Sequence, residues 1–424
     1  MEFTALLWAF GCCVSVTGVR GSNGEWWENY MQGIQEHMSL YGYQEFPEKA
    51  GSHAKLHPPF VCPDMSPSPT VPTSVDKVKA ADVKIVAALG DSLTTAIGAN
   101  ATNILELPYE YRHLSWSIGG YGKFTEVITL PNIFRLFNPD LVGYSRNRTL
   151  NNKPAPLEQT GLNLAVTGAN TYEFPEQTRH LIQTLKSYPG VDFNNDWKVI
   201  TIFIGANDLC DYCKNKTLFS AESFIANLTS SLDMLHMEVP RAIVNVVQLF
   251  KLEGLRQVND GSFGCLLQKS FCSCLVKPKD NSPELLELID QNKQFQNRLE
   301  ELVSSDRYKN TEDFAVILQP FLKRVQPPKD SNGKIDYSFF TPDCFHFTIK
   351  GHEELAKGLW NNMFQPEGQK AEVDTFSTPV QLICPSEAYP YIHTGRRTRS
   401  LASSSPKGAH VFHILIILMT IFVL

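Results

Sequence analysis

The stretch VKIVAALGDSLTTAIGA, Val83 to Ala99, decides the fold. Val83 to Leu89 is an apolar run with several β-branched residues, the pattern of a strand buried on both faces. It breaks at Gly90, presents Asp91 and Ser92, and continues through Leu93, Thr94, Thr95 and Ala96 as a helix start. A buried strand that stops at glycine and turns into a helix places its turn at the carboxyl end of a parallel sheet. In open α/β sheets that end is where ligands bind. Ser92 is therefore the candidate nucleophile.

Moving outward, the same grammar recurs. Leu162 to Val166 reads as a short second strand ending at Thr167-Gly168-Ala169-Asn170. Trp197 to Ile204 (WKVITIFI) is a third, ending at Gly205-Ala206-Asn207-Asp208. Ala242 to Phe250 and Phe314 to Leu318 are further apolar strands. Between them, Ala221 to Met237 has helical spacing (Phe224, Ile225, Leu228, Leu232, Leu235), and a long helix runs from Ser282 to about Ser304 with Pro283 at its first position. Ile349 to Met363 is a closing helix before Pro366. Strands alternating with helices predict a mainly parallel sheet covered on both faces, with right-handed crossovers, over residues 81–365.

The flanks carry a different message. Ala5 to Gly18 is a short apolar stretch ending in small residues, which reads as a secretory signal peptide (1–18). Residues 19–80 combine an amphipathic helix, Trp26 to Phe46, with a Pro- and Ser-rich linker from Pro58 to Pro72 that Cys62 could pin. After an extension at 366–399, the segment 400–424 has small residues, a polar spacer and an apolar end from Val411 to Leu424. As a helix those last residues rise only about 21 Å against the ~30 Å of a bilayer core. That pattern predicts a glycosylphosphatidylinositol (GPI) attachment signal, with a short membrane anchor as the other reading. Either would set the protein at the extracellular face of the plasma membrane.

Cysteine usage agrees with export. Of ten cysteines, Cys12 and Cys13 leave with the signal peptide, and an even set remains: Cys62, Cys210, Cys213, Cys265, Cys272, Cys274, Cys344 and Cys384. Disulfides are expected, although such a set allows on the order of a hundred pairings. Cys210 and Cys213 form a CxxC, but no second CxxC or His pair completes a zinc site, so no metal is expected. Asn100, Asn147, Asn215 and Asn227 head N-x-S/T sequons for glycosylation. The net charge of −6, without a run of like charges, gives no footprint for nucleic acid. Oligomeric state is not readable.

The polar residues at the strand ends make a chemical set. A serine hydroxyl is a weak nucleophile and needs a base. Histidine suits that role near neutral pH. Asp343 and His346 are three residues apart, so one compact turn can aim the carboxylate at the imidazole, fixing its tautomer and stabilising its charged form. The tetrahedral intermediate needs donors: the backbone N–H groups of Ser92 and Gly168 and the side-chain amide of Asn207 would supply them.

Gly90-Asp91-Ser92-Leu93, Asn163 to Gly168, Gly205 to Asp208 and Asp343-Cys344-Phe345-His346 together resemble the sequence blocks of the GDSL (SGNH) hydrolase family. Within it, the runs Tyr111 to Asn138, Ile204 to Cys213, Val239 to Val246 and Pro342 to Phe347 are similar to the phospholipase B branch, and the likeness extends over Trp26 to Cys384. That branch usually has several such repeats and a membrane-spanning C-terminus, where this chain has one repeat and a short apolar tail. The resemblance implies a three-layer α/β/α, flavodoxin-like fold and ester hydrolysis with no cofactor. It implies Ser92 as nucleophile, His346 as base then acid, Asp343 as orienting carboxylate, and Ser92, Gly168 and Asn207 as oxyanion hole. Phospholipids and lysophospholipids at a membrane surface are the implied substrates, with retinyl and other lipid esters also within reach.

Each feature has a plainer reading. Gly-Asp-Ser is ordinary turn chemistry. His352 is a rival base but has no aspartate three residues before it. Asp208 could simply brace its loop. The aromatic segment Tyr109 to Tyr121 could wall an acyl site or belong to the core. A different acyl esterase would share the catalytic set, since fold and triad do not fix substrate. A catalytically silent surface binding protein need not keep all four blocks.

Overall fold

A computed structural model describes residues 56–373, 376 and 380–395. The expected signal peptide, the helix at Trp26 to Phe46 and the 400–424 attachment signal lie outside them. Four parallel strands form the sheet: β1 (Val83–Gly90), β2 (Trp197–Phe203), β3 (Ala242–Val247) and β4 (Phe314–Gln319), in that spatial order. Ala87 pairs with Ile200, Ile200 with Val244, and Val244 with Val316. All of β2 and β3 is buried, as continuous apolar strands in a doubly covered sheet should be.

Helices complete the layers. Ser92–Thr95 is α1, Leu130–Phe137 α2, Phe174–Ser187 α3, Ala206–Asp211 α4, Ala221–Glu238 α5, Pro283–Ser304 α6 and Ile349–Met363 α7. Helix α5 packs between α3 and α6, and α7 packs on α2. Ser282 caps α6 by accepting the Leu285 N–H, with Pro283 at the first helical position, as the sequence predicts. This is the α/β/α arrangement expected.

One expected strand is different. Leu162 to Val166 is not a strand of the sheet. It runs along the free edge of β1, exchanging bonds with Ala88 and giving the Val166 N–H to Gly90 O. The Asn163 side chain turns inward to Thr94 O and the Ala165 N–H, which spoils a regular ladder.

The flanks are fastened to this core. Cys62 bonds Cys384, the Trp197 indole donates to Pro72 O, and the Ile392 N–H donates to Val78 O. Among the described residues no helix is long and apolar enough to cross a membrane.

Candidate active site

The turn that carries Ser92, the expected nucleophile, is built from β1. Gly90 has φ +151°, and a Cβ there would lie 2.3 Å from Phe203 O on the neighbouring strand, so only glycine allows the approach. The Gln177 amide brackets Gly90, accepting its N–H (2.7 Å) and donating to its carbonyl (3.0 Å). Asp91 caps α1 by accepting the Leu93 N–H. Burial pushes the Asp91 carboxyl up to about 6, against the opposing pull of that N–H and of His346.

His346 arrives from the segment before α7. Its Nε2 lies 2.9 Å from Ser92 Oγ, and its Nδ1 lies 2.7 Å from Asp343 Oδ2. With Nδ1 carrying a proton toward the carboxylate, Nε2 accepts from the Ser92 hydroxyl. The other carboxylate oxygen, Asp343 Oδ1, accepts from the Thr341 hydroxyl and from the N–H groups of Phe345 and His346. Burial alone would raise the Asp343 carboxyl. The His346 charge and these donors outweigh it, and the group is held below its ordinary range. Ser92, Asp343 and His346 are each at most 5% exposed, so this relay is shielded from water.

The expected oxyanion donors are distributed. Ser92 and Asn207 line one cavity; Gly168 is not part of that lining. Asn207 reaches the Gly168 loop instead, donating from Nδ2 to Ala169 O at 2.9 Å. No hydrogen bond among the described residues engages the N–H of Ser92 or Gly168. Asp208 braces the same loop, accepting the Thr171 N–H and hydroxyl, with burial pushing its carboxyl up to about 7.

His352 is a core residue. It is buried, its Nδ1 faces the Trp116 N–H at 3.4 Å, and burial, seconded by the His346 charge, drives its pKa down to about 3. It stays neutral and bonds away from Ser92. Trp116 likewise is core, fully buried against Phe203 and Phe321 with its indole on Leu93 O. The segment Tyr109 to Tyr121 contributes nothing to the cavity lining.

Two features escape sequence reasoning. The first is a partly open cavity lined by Phe250, Leu252, Leu255, Val325, Phe340 and Phe345 among others. The available signal was the phenylalanines on either side of His346 and the one that ends the Ala242 to Phe250 run. The second is a buried ion pair. Arg112 donates to Glu110 Oε2 and to the carbonyls of Asn163 and Ala165. Glu110 Oε1 accepts from Thr167, whose hydroxyl also meets Thr95, so the pair ties α1 to the segment that leads into Gly168.

The cysteines pair as Cys62–Cys384, Cys210–Cys272, Cys213–Cys274 and Cys265–Cys344. The CxxC cysteines are thus consumed in disulfides. Asp260 lies beside Cys265 and Cys344, but those sulfurs are bonded to each other and offer no thiolate for a metal. Of the sequon asparagines, Asn147 and Asn215 are exposed and Asn100 and Asn227 half-buried.

Residues 86–359 match the GDSL-like lipase/acylhydrolase family. The chain belongs to that family. It is 44% identical over 338 residues to human membrane-associated phospholipase B1, covering 78% of this chain and 23% of that protein. The mouse protein of the same name is 41% identical over 344 residues, covering 80% of this chain and 23% of its own. The chain thus spans less than a quarter of the curated relatives it matches. A carbohydrate esterase family 3 structure from Talaromyces cellulolyticus overlays at TM-score 0.30 and 14% identity, covering 65% of this chain and 94% of that one, too slight a likeness to carry an argument.

Proposed function

We propose that this GDSL-family chain is a serine ester hydrolase of phospholipids, with phospholipase A and lysophospholipase activity. The observation that carries the reading is the continuous relay Asp343–His346–Ser92, at 2.7 and 2.9 Å, opening on an apolar cavity. Ser92 Oγ attacks the ester carbonyl carbon while His346 Nε2 takes its proton. Asp343 stabilises the imidazolium. The oxyanion is met by the Ser92 and Gly168 N–H groups and the Asn207 amide. His346 then delivers the proton to the departing glycerol oxygen. A water, deprotonated by the same imidazole, releases the fatty acid. The acyl chain lies along the phenylalanine-lined cavity, whose apolar wall suits a hydrocarbon.

Export to the extracellular face of a membrane, with glycosylation at the sequons, belongs to the same proposal. The disulfides among the described residues support an oxidising compartment. The membrane-associated phospholipase B1 relatives support the membrane part of the reading.

The test is hydrolysis of a diacyl phospholipid, a lysophospholipid and a short soluble acyl ester, each beside Ser92→Ala. Ser92-dependent release from both lipids is the expected result. Release from the soluble ester alone would point to a different acyl esterase.

A further inference from the structure

The cavity at Ser92 carries one charged side chain that ester hydrolysis does not use. Apart from Asp91, buried beneath the nucleophile, Lys251 is the charged residue of its lining. It follows Phe250 beyond the carboxyl end of β3, the sheet end where ligands gather.

Several cations that flank the lining segments in the chain have partners. Arg256 pairs with Asp280, Lys323 with Glu300 and Glu372, Arg324 with Glu372, and Lys350 with Asp336. Lys251 differs. It is half-buried, and among the described residues its Nζ makes no hydrogen bond, ion pair or cation–π contact. Glu253, two residues on, is outside the cavity lining. A lysine ammonium on an apolar lining, with no counter-charge on it among the described residues, is well placed to receive an anion from a ligand.

The cavity offers a hydrocarbon surface and one positive charge near one nucleophile. A ligand matching all three is an acyl ester that also carries a phosphate. Resting on the hydrolase reading above, we propose that Lys251 is a specificity-determining residue that binds the head-group phosphate of a lysophospholipid whose single acyl chain occupies the cavity. A carboxylate from released fatty acid offers the same anionic chemistry, so the test separates the two.

The experiment uses the full-length protein and its Lys251→Met and Lys251→Arg variants. Each is assayed below micelle-forming concentrations on two substrates of one chain length, lysophosphatidylcholine and the neutral monoacylglycerol. Lys251→Met should lower kcat/KM for the phosphate-bearing ester about tenfold, chiefly through KM, the size of one charge-assisted hydrogen bond. The neutral ester should change by less than about twofold, and Lys251→Arg should recover most of the loss, since its charge remains. Equal loss on both substrates, or loss on neither, would overturn the proposal. So would an unchanged substrate ratio combined with relief of inhibition by added fatty acid, which would assign Lys251 to the product carboxylate. If the unsubstituted protein turns over only soluble esters, the lipid reading itself falls, and this proposal with it.

Discussion

The two halves of the proposed Ser–His–Asp relay are held in place by different physics. Ser92 sits one residue past Asp91 at the end of β1, whose backbone is bonded along both edges, to β2 on one side and to Leu162 to Val166 on the other. Asp343 and His346 have no sheet beneath them. Their loop is fastened from outside by the Cys-dense stretch Cys265 to Cys274 and the residue before it. Cys265 bonds Cys344, and the Gln268 amide donates to Cys344 O at 2.5 Å. Gly264 packs so closely on Pro342 that a Cβ would meet its carbonyl oxygen at 1.9 Å. The Phe271 ring lies 5.7 Å from Phe345 and 6.0 Å from His346. The position of Ser92 is thus spread over many ladder bonds. That of His346 rests on bonds within its own short loop and on a few long-range contacts, one of them covalent.

The largest test of this contrast separates the two buried histidines. His346→Ala should reduce kcat by about a thousandfold or more, the usual scale for a lost general base. His352→Ala should leave kcat of the folded enzyme within about fivefold, because that imidazole bonds Trp116 and not Ser92. Turnover per folded molecule decides, and the reverse ranking would remove His346 from the relay.

A smaller effect distinguishes the two kinds of fastening. Converting Cys265 and Cys344 together to serine should lower kcat about tenfold, through a misplaced base. Converting Cys62 and Cys384, which clamp the flanks, should lower Tm while leaving kcat per folded molecule unchanged. The second disulfide closes the longer span, 322 residues against 79, so its loss should cost more stability. Thermal melts and active-site-normalised rates on both double variants separate these outcomes.

The smallest effect concerns Asp208, which braces the nucleophile side. Its carboxyl is raised by burial from its ordinary 3.8 to about 7. The folded state therefore holds this proton more tightly than the unfolded chain does. Its contribution to stability declines as pH rises from the ordinary carboxylate range through about 7. Asp208→Asn cannot ionise, so its Tm should gain on that of the unsubstituted protein by roughly 2–4 °C between pH 4.5 and pH 8. A constant difference across that range would contradict the buried, protonatable Asp208 described here.

Legibility in the sequence followed the same division. The Ser92 turn was readable because an apolar run, a glycine and a capping residue are adjacent in the chain. The closing helix matches its expected span, Ile349 to Met363. The edge segment at Leu162 to Val166 reads as a strand in sequence because its composition hides the inward turn of Asn163. The cavity wall was less visible still. Its parts come from around residues 250–258, 325–328 and 340–347, which share no periodicity. The aromatic segment Tyr109 to Tyr121 serves the core through Trp116. Disulfide partners depend on which cysteines the fold brings together, and spacing alone left them open. Nor could spacing foresee that Gly264, just before Cys265, would pack against the loop that carries His346.

The central claim is that Ser92 is activated by His346 across 254 residues of chain. The most direct measurement is covalent capture by a fluorophosphonate ester, with the modified peptide located by mass spectrometry in the unsubstituted protein and in His346→Ala. The account predicts a single adduct on Ser92 that forms at least about a hundredfold more slowly when His346 is absent. An adduct on another residue, or equal labelling in both proteins, would contradict it.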